Sequence, residues 1–134
     1  MNALVETSCP CGLGTSLATC CGRWTADRPA PTAGALMRSR YCAYVRDDTE
    51  VLLRTWHAST RPKPSELSGA GPEPGPGLKW LGLQVLREEA SGPDSAIVEF
   101  VARYSVNGRA RRLHETSRFR REGGTWYYVD GDIA

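Results

Sequence analysis

AIVEFVARYSVNGRARRLHETSRFRREGGTWYYVD, residues 96–130, decides the fold. It reads as one antiparallel meander with two hairpin turns. Asn107-Gly108 between alternating runs marks a two-residue type I′ turn, which needs positive φ at both positions. That turn sets Val106 opposite Arg109. It then pairs Ala102 with Leu113, Phe100 with Glu115, Val98 with Ser117 and Ala96 with Phe119. The second turn, Gly123-Gly124, sets Glu122 opposite Thr125. It pairs Arg121 with Trp126, Phe119 with Tyr128 and Ser117 with Asp130.

Side chains alternate along a strand, and paired residues share a face. One face therefore carries Val98, Phe100, Ala102, Leu113, Phe119, Trp126 and Tyr128, and is expected to be buried. The other carries Glu99, Arg103, Arg112, His114, Arg118 and Arg120, a solvated basic face partly covered by Val101 and Val129. Glu115, Ser117 and Asp130 are the misfits, because they fall on the apolar face. A buried carboxylate needs a cation, water or a proton. A concave sheet around a wet pocket supplies such a setting. A β-bulge that returns Glu115 to solvent is the alternative.

The chain of 134 residues is long enough for one domain with a small appendage. Its formal net charge of +2 points to no class of partner. Lys63 and Lys79 are the only lysines; the other basic side chains are Arg. Such a bias suits GC-rich codons or a phosphate-binding surface. The former is preferred, since no basic block extends beyond Arg109, Arg111 and Arg112. No span reaches the ~20 apolar residues of a membrane helix. No secretory signal is visible at the start, so a cytoplasmic location is expected.

Four of the five cysteines lie in CPCGLGTSLATCCG: Cys9, Cys11, Cys20 and Cys21. In a reducing compartment such clustering reads as a Cys₄ zinc site, closed to substrate and therefore structural. Gly12 and Gly14 let the backbone turn around the ion and aim N–H groups at the thiolates. Two disulfides are the alternative, but they need very tight loops, and a Cys20–Cys21 bridge would be strained. The stretch resembles the SEC-C motif, the zinc knuckle at the C-terminus of the SecA translocation motor. Cys9, Cys11, Gly12, Gly14, Cys20 and Cys21 match the motif. Leu13, Thr15, Leu17 and Ala18 depart from it. Thr15 and Ala18 stand where lysines are usual, so docking on the SecB chaperone is not implied here.

Thr32 caps an expected helix whose apolar stripe is Ala33, Leu36, Met37, Tyr41, Tyr44 and Val45, with Arg40 on its flank. The hydroxyls of Tyr41 and Tyr44 could line a polar cavity, or serve simply as core. Cys42 reads as a packed thiol far from the knuckle. After Asp47-Asp48-Thr49, a short helix is expected from Glu50 to His57, burying Val51, Leu52 and Trp56. His57 would sit at its C-terminal end, as a cap or a general base. Residues 58–77 hold five prolines and four glycines and read as an extended linker, with Arg61 a candidate partner for an inward acid. Lys79 to Glu88 reads as a strand with Leu81, Leu83 and Val85 on one face, and Ala90 to Asp94 as a turn.

The runs APTAGALMRSRYCAYV, TWHASTRP, KWLGLQVL, HETSRF and WYYVDGD resemble the YchJ-like family of bacterial proteins. The resemblance implies an α+β architecture: a SEC-C knuckle, here residues 1–24, before an NTF2-like domain, here residues 25–134. An NTF2-like domain is a cone of helices packed on a curved sheet with an internal cavity. Tyr41, Tyr44, Phe100, Glu115, Ser117, Phe119, Trp126 and Tyr128 are the expected cavity wall.

Three functions follow. The first is a ligand-binding or interaction module, with the knuckle docking on an unknown protein. The second is a cavity enzyme of hydrolase, dehydratase or isomerase type, with Glu115 and Asp130 for proton transfer and His57 as second base. The third is nucleic-acid or ribosome binding through the knuckle and the outer arginines Arg112, Arg118 and Arg120. The first is preferred.

Overall fold

The computed structural model describes residues 9, 11, 20–67 and 78–134. The expected roles of Gly12 and Gly14, and the 68–77 part of the linker, lie outside the described residues. Four strands form one antiparallel sheet in sequential order: β1 (Leu78–Gly92), β2 (Ser95–Val106), β3 (Arg109–Glu122) and β4 (Thr125–Ile133). Among the described residues three α-helices accompany it, α1 (Ala33–Arg46), α2 (Thr49–Arg54) and α3 (Pro64–Leu67), with a short 3-10 turn at Cys21–Arg23. This is the expected α+β cone, with α1 laid on the inner face of the sheet. Among the described residues, no helix is long and apolar enough to cross a membrane.

Both glycine turns take the backbone the sequence demands. Asn107 and Gly108 have φ of 50° and 83°, and Gly123 and Gly124 have 59° and 81°. The β2–β3 register runs unbroken from Val106 opposite Arg109 to Ser95 opposite Arg120. The β3–β4 register shifts once, between Arg118 and Phe119. Phe119 still faces Tyr128, but Arg118 faces Asp130 and Ser117 faces Gly131. Val129 is the extra residue, a bulge that turns every later side chain of β4 over.

β1 is longer and less regular than expected. It bulges at Leu81 and Leu86, so Trp80, opposite Tyr104, joins Leu83 and Val85 on the inner face. Leu81 and Leu86 are left exposed. The strand also runs on through Ala90 to Gly92, and the turn shrinks to Pro93-Asp94. Its charged end pairs across the ribbon, Arg87 Nε donating to Glu99 Oε1 at 3.2 Å.

α1 starts where the Thr32 hydroxyl accepts the Ala35 N–H, at 3.0 Å. A second acceptor comes from β1: Glu88 Oε2 takes the Gly34 N–H at 2.9 Å. Two of the orphan donors of the first turn are thus satisfied, one of them by a negative charge at the positive end of the helix. The helix ends at Asp47, in the left-handed conformation with φ 56°. Between these caps Ala33, Leu36, Met37 and Tyr41 pack on Val98, Phe100, Ala102 and Phe119 to form the main core. At roughly 1.5–3 kcal/mol for each large side chain buried, this layer holds α1 to the sheet.

α2 is shorter than expected and stops before Trp56. The Thr55 hydroxyl donates to Val51 O at 2.7 Å, and the chain then joins the edge of β4. Trp56 forms a parallel bridge to Tyr128, with His57 N–H bonded to Tyr128 O at 2.7 Å. That bridge supplies the parallel element of an otherwise antiparallel sheet. The first part of the expected linker is ordered. Thr60 Oγ1 donates to Val129 O at 2.6 Å, and Leu67 of α3 is buried with Ala43 and Leu52.

Candidate functional site

Between α1 and the concave sheet lies a cavity of about 510 Å³. The meander contributes Phe100, Glu115, Ser117, Phe119 and Tyr128, and α1 contributes Tyr41 and Tyr44. Trp80, Tyr104, Arg40 and Arg112 also line it. The size and the aromatic walls suit a small molecule. Burial raises the phenol pKa values of Tyr41, to about 12, and of Tyr44 and Tyr128. All three therefore stay protonated and can donate hydrogen bonds into the cavity.

Arg40 is 5% exposed. Its Nη1 donates to Leu52 O at 2.9 Å and Thr55 Oγ1 at 2.7 Å, which ties α1 to the end of α2. The guanidinium lies between two rings, 4.8 Å from the Trp56 centroid and 4.4 Å from that of Tyr128. Burial lowers its pKa, opposed by the fields of Tyr44, Tyr128 and Glu115. An arginine keeps its charge regardless. Among the described residues its hydrogen bonds go to a carbonyl and a hydroxyl, not to a carboxylate. Met37, Arg40, Tyr41 and Tyr44 fall at i, i+3, i+4 and i+7, so helical spacing does place Arg40 inside the stripe rather than on its flank.

Glu115 faces the same space from β3. Ser117, 2% exposed, donates its hydroxyl to Glu115 Oε2 at 2.6 Å. Gly131, opposite Ser117, leaves the room the carboxylate occupies. The alternative of a bulge returning Glu115 to solvent is not what occurs, because the bulge falls on β4 instead.

Other expected site residues lie elsewhere. Asp130, turned over by the Val129 bulge, pairs with Arg118 Nε at 2.5 Å on the outer face. His57 lies beyond α2, with Nε2 2.8 Å from Glu122 and Nδ1 accepting the Ser59 N–H at 3.1 Å. Trp126 packs on the flank of the core, with the Arg121 guanidinium 5.2 Å from its ring centroid. Arg61 donates from Nε and Nη2 to Trp56 O, at 3.0 and 2.8 Å, and among the described residues meets no inward acid. Tyr104 shares the parity of Phe100 and Ala102, so strand alternation could have found it. Trp80 could not be found that way, because a bulge decides its face.

The second site is the thiol cluster. The sulfurs of Cys9, Cys11, Cys20 and Cys21 all lie within 4.8 Å of one another and are buried. A tetrahedral zinc with Zn–S of about 2.3 Å has S···S edges of about 3.8 Å. The Cys11–Cys20 separation is 3.6 Å, so the residues fit such an ion. The five cysteines are free thiols rather than two disulfides. The hydrogen bond with Cys42, burial and the other sulfurs all push the Cys21 thiol pKa up. Gathering thiolates here thus needs a cation.

Cys42 was expected far from this cluster and is part of it. Its sulfur stands 3.4 Å from that of Cys9. α1 runs past the knuckle as well as the cavity, and Arg38 Nη1 donates to Cys11 O at 3.4 Å. Leu83 of β1 packs against both the thiols and the main core.

Residues 32–131 match the family model described as YchJ, middle NTF2-like domain. A UPF0225 protein of Methylibium petroleiphilum is 55% identical over 126 residues, covering 93% of this chain and 88% of its own. One from Chromobacterium violaceum is 53% identical over 133 residues, covering 96% and 95%. The solution structure of a SEC-C motif containing protein from Rhodopseudomonas palustris matches with TM-score 0.79 and 30% identity, over 96% of this chain and 99% of that one. The crystal structure of a SEC-C motif containing protein from Psychrobacter arcticus shares the fold, with TM-score 0.78 at 23% identity over 96% and 83%. A metal-ready thiol cluster beside an NTF2-like cone, with relatives alike along nearly their whole length, places the chain in the YchJ-like UPF0225 family.

Proposed function

We propose that this protein is a small-molecule-binding module, and that its thiol cluster is a structural zinc knuckle for docking on a macromolecular partner. The cavity carries the first part: about 510 Å³ walled by aromatic rings, with a buried guanidinium and an oriented carboxylate in its lining. A core built only for stability would fill such a space with side chains. Zinc would be held by Cys9, Cys11, Cys20 and Cys21, four ligands that leave no position for substrate. A reduced, cytoplasmic setting agrees with free thiols.

An acid–base enzyme is less well supported. Asp130 and His57 are both away from the cavity, which leaves Glu115 without a second proton carrier of the kind expected. RNA binding through the outer arginines is also weakened, because Arg118 is already held by Asp130 and Asp132.

Native mass spectrometry of protein purified from cells tests the cavity. A co-purifying small molecule should appear with the wild type and be absent from Ala102→Phe, whose added ring would occupy the space. An Ala102→Phe protein that keeps the same molecule ends the cavity reading. Knuckle docking is tested separately with Cys20→Ser, which should lose a partner while the main domain stays folded.

A further inference from the structure

We infer that the cavity's ligand is a small aminocarboxylate with an apolar body, its carboxylate seated at Arg40 and Tyr44 and its ammonium at Glu115. The inference rests on the ligand-binding reading above and names the class of ligand.

Charge balance is the first reason. Arg40 and Glu115 line one cavity, yet they form no ion pair with each other among the contacts of the described residues. Glu115 is nonetheless close enough for its field to act on the guanidinium. Two opposite charges are thus held apart, each fixed by its own neighbours: Arg40 by Leu52 O, Thr55 and two rings, Glu115 by Ser117 and the space above Gly131. A zwitterion matches both poles and leaves the cavity's net charge unchanged. A simple anion would satisfy Arg40 but bring a like charge toward Glu115, and a simple amine would do the reverse.

Donor chemistry is the second reason. A carboxylate wants two or three donors in one place, and a guanidinium beside a protonated phenol offers them. A phosphate wants more buried cationic or backbone donors than Arg40 and Tyr44 supply, because Arg112, the other arginine of the lining, is exposed. Glu115, with one oxygen accepting from Ser117, keeps acceptor capacity for an ammonium. Between the poles the walls are Phe100, Phe119, Trp80 and Tyr41, which suit an aromatic or branched aliphatic body.

The test is an amide-resolved NMR titration of the zinc-loaded full chain with four probes of one skeleton. They are L-phenylalanine, 3-phenylpropionate, 2-phenylethylamine and 2-phenylethanol. L-phenylalanine should shift amides of α1 and β3 saturably, with an affinity at least ten-fold above both singly charged probes. Glu115→Gln, which keeps size and a hydrogen-bonding group, should erase the advantage over 3-phenylpropionate. Arg40→Lys should reduce the advantage over 2-phenylethylamine, and a folded Glu115→Gln keeps the inference testable if Arg40 variants do not fold. Tighter binding of 3-phenylpropionate than of L-phenylalanine would overturn the inference. So would equal binding of all four probes, although the cavity reading would survive that result. If no probe shifts any cavity amide, both readings fall.

Discussion

A Cβ on Gly131 would stand 2.2 Å from Oε2 of Glu115 and 2.7 Å from its Cδ. The glycine is therefore part of the Glu115 site although it has no side chain. Its position opposite Ser117 lets the carboxylate lie flat across β4 while accepting the Ser117 hydroxyl.

Gly131→Ala should displace Glu115 rather than unfold the protein, because the clash is with the free end of a flexible side chain. The cost in stability should be about 1 kcal/mol, the low end for overpacking. That corresponds to a fall of about 3–4 °C in a thermal melt. Ligand discrimination should suffer as much as in Glu115→Gln. A variant that melts normally and discriminates like the wild type would show that the carboxylate's pose is irrelevant.

Gly34→Ala should cost more, although its geometric clash is similar. A Cβ there would lie 2.2 Å from Glu88 Oε1, and moving that carboxylate also breaks its bond to the Gly34 N–H. Loss of a cap acceptor costs about 1–2 kcal/mol. Chemical denaturation should show this loss. In the background of Glu88→Ala, which has already lost the cap, the same alanine should be far less harmful. Equal penalties in both backgrounds would separate Gly34 from Glu88.

With zinc bound by the four knuckle cysteines, the Cys42 thiol is placed to donate to a ligand thiolate. Removing an outer hydrogen bond of this kind typically weakens metal affinity about 10–100-fold. Chelator competition should place Cys42→Ala in that range, with Cys42→Ser, which retains a donor, nearer the wild type. Cys20→Ser should be far worse, since it removes a ligand. Identical zinc affinities for Cys42→Ala and wild type would make the fifth thiol mere packing.

Alkaline pH should unfold the protein through its buried phenols. Burial is the main reason that the Tyr41 phenol is pushed up to about 12 and that those of Tyr44 and Tyr128 are also raised. Below the ordinary value of about 10 both states keep these protons, and the phenols contribute no pH dependence. Above it the unfolded chain releases protons that the folded chain holds, so stability falls as pH rises from about 10 to about 12. Tyrosinate absorbance from these residues should then appear together with loss of circular dichroism. Their ionisation near pH 10 in an intact fold would contradict the burial argument.

Turn chemistry made the meander legible. Asn107-Gly108 and Gly123-Gly124 need positive φ, and a two-residue loop leaves one register, so Phe100, Glu115, Ser117 and Phe119 could be assigned to a face from residues alone. Bulges were not legible. Leu81, Leu86 and Val129 are ordinary strand residues, and only packing makes them the extra ones; the faces of Leu81 and Asp130 were therefore misread. Cys42 was misjudged because distance along the chain says nothing about where a folded knuckle settles. Arg40 did carry a local signal, its helical spacing, but a charge inside an apolar stripe reads more naturally as a flank. Only its sandwich between Trp56 and Tyr128, both distant in sequence, shows how that charge is accommodated.

The odd residue at Val129 sets the polarity of the hollow by parity alone. With it, a bare backbone faces inward at position 131 and the acid at 130 is turned to solvent. Were Val129 instead to pair regularly opposite Arg118, Asp130 would fall opposite Ser117 and the two would swap, setting a second negative charge beside Glu115 and taking away the gap in which it rests. A site with one buried cation and one anion would become a doubly acidic one, so the register of this strand sets selectivity without altering any wall residue.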